Sequence, residues 1–359
     1  MLIKVDLPFS PYLVRVGESI EELGIRVKEY TDSERVFIVS DRSVSGLYID
    51  RVSAALKKCG LKFDIFIVED GEGSKSLHKA KEIYMEMSRR RVERFTPVLG
   101  FGGGVVGDLA GFSASTYLRG VPFINVPTSL LAQVDSAVGG KTGVNLPSGK
   151  NLVGTFYQPL YVHTDTELLG TLSEREYASG LAEVVKHALI QGERFLGFIR
   201  DNADSILSRD SAVMEVAVSE CVKIKASVVV EDEKERGLRR VLNLGHTLGH
   251  ALETSGGYGK LTHGEAVSIG MVAACRISEY LGGKSITEEV VEVLERLGLP
   301  VGITGDHDPE KLIEIMKLDK KVRRGRIEFV LPFSPGEVRP GVEVEEKLIK
   351  EVIRELEQA

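Results

Sequence analysis

Between residues 35 and 126 the chain repeats one pattern, a short apolar run followed by a polar turn and a helical stretch. Arg35-Val-Phe-Ile-Val-Ser40 ends at Asp41, and Phe63-Asp-Ile-Phe-Ile-Val68 ends at Glu69-Asp70-Gly71. Thr96-Pro-Val-Leu-Gly-Phe101 and Val121-Pro-Phe-Ile-Asn-Val126 continue the series, while Ser45 to Lys58 has the spacing of an amphipathic helix. Such alternation implies a parallel sheet covered by helices. Met1-Leu-Ile-Lys-Val-Asp6 alternates like a first strand. From about Ser173 the character changes: 175–191, 211–230, 240–254, 263–281 and 286–297 carry helical periodicity. Arg326 to Pro332 reads as a lone late strand, followed by a terminal helix from about Val344. The expected architecture is an α/β N-terminal domain over 1–170, with a parallel sheet and a Rossmann-like nucleotide site. A mostly α-helical C-terminal domain over 171–359 completes it.

Composition narrows the partners. Hydrophobic residues make up 43% and charged residues 28%, the balance of an ordinary soluble globular protein. A formal charge of -7 argues against general nucleic-acid binding but leaves room for a small anionic substrate in a local basic pocket. The N-terminus lacks the apolar core of a signal peptide, and no segment approaches the roughly 18 apolar residues of a membrane span. Cys59, Cys221 and Cys275 form no CxxC pair, and the latter two fall in apolar-periodic helices as buried thiols. A cytoplasmic protein without a membrane partner is expected.

Gly102-Gly103-Gly104-Val105-Val106-Gly107 follows a strand and precedes a helix expected from Asp108, the context of a dinucleotide fingerprint. Glycines let the backbone approach a pyrophosphate, whose charge a helix N-terminus stabilises. Alone the motif also fits a plain strand-to-helix turn. It departs from the usual fingerprint too, since Val126-Pro-Thr128-Ser129 stands where an acid about 20 residues on would bind ribose. Acids occur instead at two upstream strand ends, Asp41 and Asp70-Gly71-Glu72-Gly73-Ser74-Lys75.

From Ser136 to Thr164 there is no acidic residue, and Lys141 and Lys150 stand among glycines, Thr142, Asn145 and Asn151. The stretch reads as a glycine-rich loop able to cradle phosphate or carboxylate; the plainer alternative is a surface loop with two solvated lysines.

Further on, Leu244-Gly-His246-Thr-Leu-Gly-His250 puts two histidines at i and i+4, and His263 opens the next helix. Glu183 lies among apolar residues, where a carboxylate is costly unless paired or metal-bound. One carboxylate and two imidazoles make a common catalytic zinc set. Spacing alone leaves open which histidines ligate, and HxxxH favours His246 with His250. The absence of HExxH argues against a metalloprotease. His78, His163, His187 and His307 read as structural. Lys186, three residues from Glu183, either enters the same cavity or forms an ion pair. Lys223/Lys225, Arg239/Arg240 and Lys317-Leu-Asp-Lys320-Lys321 are basic clusters that by themselves read as solvated faces.

Taken in order, these motifs resemble the 3-dehydroquinate synthase family over nearly the whole chain: Asp70-Gly-Glu-x-x-Lys75, Gly102 to Asp108, Tyr117-Leu-Arg119-Gly120, Pro127 to Ser136, Gly139 to Asn145, Gly149 to Phe156, Glu183-Val-Val-Lys186, Gly237-Leu-Arg239, Leu242 to His250, His263-Gly-Glu-Ala266 and Asp319-Lys-Lys321. One departure is Ser129, where a second threonine is usual. The resemblance implies a lyase that uses NAD and a divalent metal, zinc or cobalt. Its substrate would be 3-deoxy-arabino-heptulosonate 7-phosphate, converted to 3-dehydroquinate and phosphate in the shikimate pathway. It implies Glu183, His246 and His263 as metal ligands, leaving His250 as general base or proton relay. Lys186 and Asp135 would face the reacting hydroxyl region, and Lys225 with Arg239 the substrate carboxylate. Lys141, Asn151, Asn243 and Lys320 (or Lys321) would contact phosphate and hydroxyls. Arg119 would reach in from a partner subunit, which implies a homodimer. The cofactor would lie on residues 70–75, Gly104, Val105, Val106, Gly107, Asp108, Thr128, Ser129, Leu168, Leu169, Gly170 and Thr171, beside Lys141 and Lys150.

Overall fold

The computed structural model describes residues 1–256, 261–305, 307–318 and 327–358. The chain forms two compact units, residues 1–172 with 214–230 and residues 173–213 with 231–359. The sequence reading drew one boundary near 170; the structure places Met214–Val230 with the first unit.

The first unit begins with β1 (Leu2–Val5), β2 (Tyr12–Val16) and α1 (Leu23–Tyr30). Then come β3 (Arg35–Asp41), α2 (Arg42–Lys58), β4 (Lys62–Val68), α3 (Leu77–Arg89), β5 (Val98–Gly102), α4 (Gly104–Thr116) and β6 (Phe123–Pro127). A hairpin, β7 (Lys141–Leu146) with β8 (Gly149–Phe156), precedes β9 (Tyr161–Thr164). One sheet runs in the order β1-β2-β9-β6-β5-β3-β4, parallel except for the β1–β2 pair. The runs of β3, β5, β6 and β9 are buried on both faces, as a helix-covered parallel sheet requires, while the edge strand β4 is largely half-buried. Along β3, Phe37 and Val39 pack with Ile83, Leu109 and Ala110 on the side of α3 and α4. Val36 and Ile38 pack with Leu23, Val27, Val52 and Leu56 on the side of α1 and α2.

The second unit holds α5 (Glu174–Gln191), α6 (Glu193–Asp201), α7 (Ala203–Leu207), the ends of α8 (Ser211–Glu231), α9 (His246–Ser255), α10 (His263–Tyr280), α11 (Thr287–Arg296), α12 (Pro309–Leu318) and α13 (Glu346–Leu356). β10 (Ile327–Ser334) pairs antiparallel with β11 (Glu337–Val344), so the late strand is half of a hairpin and not alone.

The fold class matches the expectation, with three local corrections. Residues 136–164 are chiefly a β-hairpin and a strand instead of one long loop. The helix after the glycine turn starts at Gly104, which places Gly104 to Gly107 in its first turn. The stretch 240–254 is broken: a short 3-10 turn covers Leu238–Asn243, and α9 begins only after Gly245, whose φ of 80° no β-branched residue would accept.

Candidate active site

Parallel sheets gather ligands beyond the C-terminal ends of their strands, where loops converge and helix N-termini open. The segments expected to hold the cofactor all fall there. Asp41 ends β3, residues 70–75 follow β4, and Gly104 to Asp108 follow β5. Thr128 and Ser129 follow β6, and Leu168, Leu169, Gly170 and Thr171 lie in the 3-10 turn Thr166–Thr171 after β9. β4 lies on one side of β3 and β5 on the other, so the chain reverses direction across the sheet at the β3–β5 crevice. At that crevice a Cβ on Gly102 would sit 3.1 Å from the Asp41 carboxylate. A groove of about 1020 Å³, lined among others by Arg35, Lys62 and Phe95, opens instead at the N-terminal ends of these strands.

Both upstream acids cap α2. Asp41 accepts from the Val44 N–H at 2.8 Å, and Asp70 accepts from Ser43 N and Oγ, each at 3.0 Å. Burial, with Asp70 nearby, pushes the Asp41 carboxyl up, whereas the Ser43 N–H pulls Asp70 down. Lys75 is buried and donates to Asp108 and to Asn151 Oδ1, each at 2.5 Å. Burial raises the Asp108 carboxyl even though Lys75 opposes it. Asn145 joins the same network, donating to Glu72 at 2.7 Å and accepting from Asn151 N–H at 2.8 Å. The hairpin is thereby tied to the segment after β4.

After β6 the chain enters one wide turn, Ala132–Ser136, in which Ala137 N–H reaches back to Ala132 O at 3.0 Å. Such widened turns are uncommon and concentrate at functional sites. It carries Asp135, which accepts from the buried Lys225 of α8 at 2.7 Å through its carboxylate and 2.5 Å through its carbonyl. Lys141 and Lys150 are exposed on the hairpin. Arg119 is exposed on a turn where Leu118 and Arg119 both have positive φ, 50° and 67°.

In the second unit three helices are brought together by glycines. A Cβ on Gly264 would lie 2.0 Å from the Ser179 carbonyl oxygen of α5, and one on Gly270 would lie 1.9 Å from that of Gly245. Gly249 faces Ala266 O at 3.0 Å. These contacts let α10 close on both α5 and the start of α9. The result is convergence of Glu183, His246 and His263, whose donor atoms all lie within 4.8 Å of one another. Glu183 Oε1 stands 3.4 Å from His263 Nε2 and 3.8 Å from His246 Nε2. Ligands about 2.1 Å from a tetrahedral ion are separated by about 3.4 Å, so this donor set fits a divalent metal. Glu183 is fully buried and also ion-paired with the buried Lys186, so the i,i+3 pair forms. Burial drives the His246 imidazole well below its usual value. Burial acts the same way on His263, but the carboxylates of Glu183 and Glu253 outweigh it and bring that imidazole up to about 9. His250 lies beside the cluster, its ring 5.2 Å from His246 and 6.3 Å from His263.

Arg239 is buried, and its guanidinium donates to Glu233 O at 2.7 Å, while Asn243 donates to Glu235 at 3.0 Å. Lys320 and its neighbour Lys321 lie outside the described residues. His163 and His187 are buried, and His78 is on the surface.

Sequence reasoning passed over three supporting residues. Asp232 accepts the backbone N–H groups of Arg236, Gly237 and Arg239, fixing the turn that presents Arg239. Tyr48 of α2 donates to Leu168 O and shares a 2.6 Å hydrogen bond with Thr171. Glu253 approaches His263 at 3.4 Å. Only Glu253 carried a signal, three residues after His250 on the same helix.

Comparison with known proteins draws on both units. Residues 65–179 match the family model described as 3-dehydroquinate synthase N-terminal, and residues 180–322 match 3-dehydroquinate synthase C-terminal. The 3-dehydroquinate synthase of Symbiobacterium thermophilum is 46% identical over 342 residues, covering 93% of this chain and 94% of the relative. The chain belongs to the 3-dehydroquinate synthase family. The fold of this family also relates it to other sugar phosphate cyclases. A 2-deoxy-scyllo-inosose synthase solved with carbaglucose-6-phosphate, NAD+ and Co2+ is 27% identical, with a TM-score of 0.89 over 99% of this chain and 100% of that one. The 2-epi-5-epi-valiolone synthase of Streptomyces hygroscopicus subsp. jinggangensis, solved with NAD+ and Zn2+, is 26% identical, with a TM-score of 0.90 over 98% of each chain. Among the described residues no helix is long and apolar enough to cross a membrane.

Proposed function

We propose that this chain converts 3-deoxy-arabino-heptulosonate 7-phosphate into 3-dehydroquinate and phosphate, as a lyase that depends on NAD and a divalent metal. The observation that carries the reading is 46% identity to a 3-dehydroquinate synthase across 93% of the chain. When bound, NAD supplies a reversible hydride acceptor and the metal a Lewis acid.

The remaining work falls to the chain's own side chains. Glu183, His246 and His263 would hold the metal; Glu183 and His246 are buried and His263 is half-buried, which leaves one side of the set open to substrate. His250 takes the proton of the C5 hydroxyl as hydride leaves, and returns it when the ketone is reduced again. Lys186 and Asp135 orient the reacting hydroxyls. Lys225 and Arg239, both buried cations, receive the substrate carboxylate, for which neutral side chains would be a poor match. Lys141, Asn151, Asn243 and Lys320 bind the phosphate and the other hydroxyls. Oxidation at C5 acidifies C6–H, phosphate leaves by β-elimination, and the re-reduced sugar opens and closes as a carbocycle. With NAD bound, a hydride would be taken up and returned, so the net reaction would carry no redox change.

The cofactor would be held by Asp41, residues 70–75, Gly104 to Asp108, Thr128, Ser129 and 168–171, with Lys141 and Lys150 alongside. Arg119, exposed on its positive-φ turn, serves the site of a second copy in a homodimer. The free thiols of Cys59, Cys221 and Cys275 suit a reducing cytoplasm.

The test follows phosphate release and NADH absorbance together, with the heptulosonate phosphate, catalytic NAD+ and Zn2+, with and without chelator. Chelator-sensitive phosphate release without accumulating NADH is expected. NADH accumulating without phosphate overturns the reading in favour of a plain dehydrogenase. Turnover of glucose 6-phosphate or heptose 7-phosphate alone moves the protein to a neighbouring cyclase.

A further inference from the structure

We propose that Glu253 is a positioning residue that holds His263 in the orientation and tautomer needed to bind the metal. The inference rests on the metal role proposed above for Glu183, His246 and His263. Both histidines turn Nε2 toward Glu183 Oε1, at 3.8 Å for His246 and 3.4 Å for His263. Each therefore presents Nδ1 on the far side of its ring, and each Nδ1 meets an acceptor. For His246 it is the Leu244 carbonyl at 3.0 Å; for His263 it is the Glu253 carboxylate at 3.4 Å. A neutral imidazole carries one N–H. An acceptor at Nδ1 fixes the proton there and leaves the Nε2 lone pair for the ion.

The two acceptors differ in kind. A carboxylate on Nδ1–H makes the opposite nitrogen a better donor than a neutral carbonyl does. The fold explains why His263 receives it. His263 is the first residue of α10, and the capping contacts there come from Thr262 and Glu265 to backbone groups, leaving the ring to be steered from elsewhere. Glu253 follows His246 by seven residues and His250 by three, which puts all three on one face of α9. Gly249, facing Ala266 O, keeps α9 close enough to α10 for a glutamate to reach across.

Glu253, His250 and His263 also bring donor atoms within 4.8 Å of one another, so Glu253 could in principle bind a second ion directly. His263 argues against that arrangement. Its ring offers one lone pair while neutral, and Nε2 faces the Glu183 cluster.

The test compares wild type with the near-isosteric E253Q in zinc titrations against a chromophoric chelator, starting from metal-stripped full-length protein. Wild type should bind one ion. E253Q should bind one ion about 10–100-fold more weakly, with the melting temperature of the stripped protein unchanged and the visible bands of the Co2+ form still those of the same coordination number. Equal zinc affinity in both proteins overturns the inference, as does loss of one of two bound ions in the variant. If E253Q does not fold, zinc-loaded wild type decides alone. An exchange-protected Nδ1–H resonance of His263 in NMR supports the assignment, and a ring without it refutes it. Failure of wild type itself to bind zinc counts against the metal role, not against Glu253.

Discussion

The proposed nucleotide end of the first unit and the proposed metal end of the second are built by different physics. Around β3, β5 and β6, position is supplied chiefly by backbone: strand ends, a helix N-terminus and short turns, with polar side chains, the buried Lys75 among them, paired to one another. Around α5, α9 and α10, position is supplied by close helix packing, and the functional groups are buried charges and imidazoles. A backbone-built site tolerates side-chain change and answers mainly in ligand affinity. A site built from buried charge has few compensations, because removing one partner strands the others in a poorly solvating interior.

The contrast is sharpest at Glu183. E183Q should abolish stoichiometric zinc binding and lower kcat/KM by at least about 10³-fold, a loss of about 4 kcal/mol. Metal analysis and steady-state rates check this, and wild-type zinc content in the variant would break the comparison.

Two glycines test it next. A methyl at Gly264 meets the Ser179 carbonyl at 2.0 Å, so G264A should cost about 1–3 kcal/mol and weaken zinc binding with it. A methyl at Gly73 meets open space, so G73A should change stability by under about 0.5 kcal/mol, with any effect confined to NAD affinity. Denaturant midpoints measured beside zinc and NAD titrations separate the two. Equal destabilisation would contradict the distinction between packing and backbone glycines.

Burial also has a signature in the first unit, at His163 of β9. Burial lowers this imidazole from 6.5 to about 4 in spite of Glu18. The unfolded chain therefore takes up a proton between those values that the folded chain refuses. Stability should fall as pH drops through that window, by up to about 3 kcal/mol, and be unaffected above it. H163Q should flatten the slope in urea denaturation between pH 7 and pH 4.5; an unchanged slope would assign it to other groups.

The smallest effect is expected at Ser129, which accepts from Ala132 N–H at 3.3 Å through its hydroxyl. S129T keeps that oxygen and should change the NAD dissociation constant by no more than about twofold, or roughly 0.4 kcal/mol. A tenfold change in isothermal titration would mean that side-chain shape matters at this end as well.

The same division decides how much could be read in advance. β3 and β4 were legible because apolar β-branched runs bounded by acids have few alternatives, and the strand ends then placed the candidate cofactor segments. The hairpin of residues 141–156 was missed because glycines hide period-two alternation: a residue without a side chain marks neither face. Gly104 was read as part of a turn, although glycine in a first helical turn costs little when backbone amides must stay open. At the metal end, spacing suggested a histidine pair within one helix, His246 with His250. The structure also brings His246 together with His263 and Glu183, which stand on separate helices. That association depends on contacts such as Gly264 against Ser179, which a linear pattern does not encode. Tyr48 stayed invisible for a related reason, since it holds groups far away in sequence, whereas Asp232 holds backbone N–H groups just downstream in a turn that no hydrophobic period marks.

The central claim, a hydride borrowed and returned within one turnover, is tested most directly with heptulosonate phosphate carrying deuterium at C5. Mass spectrometry of the product after turnover with excess unlabelled NADH in solution should find the deuterium retained at the same carbon. Loss of the label to the NADH pool would contradict the account.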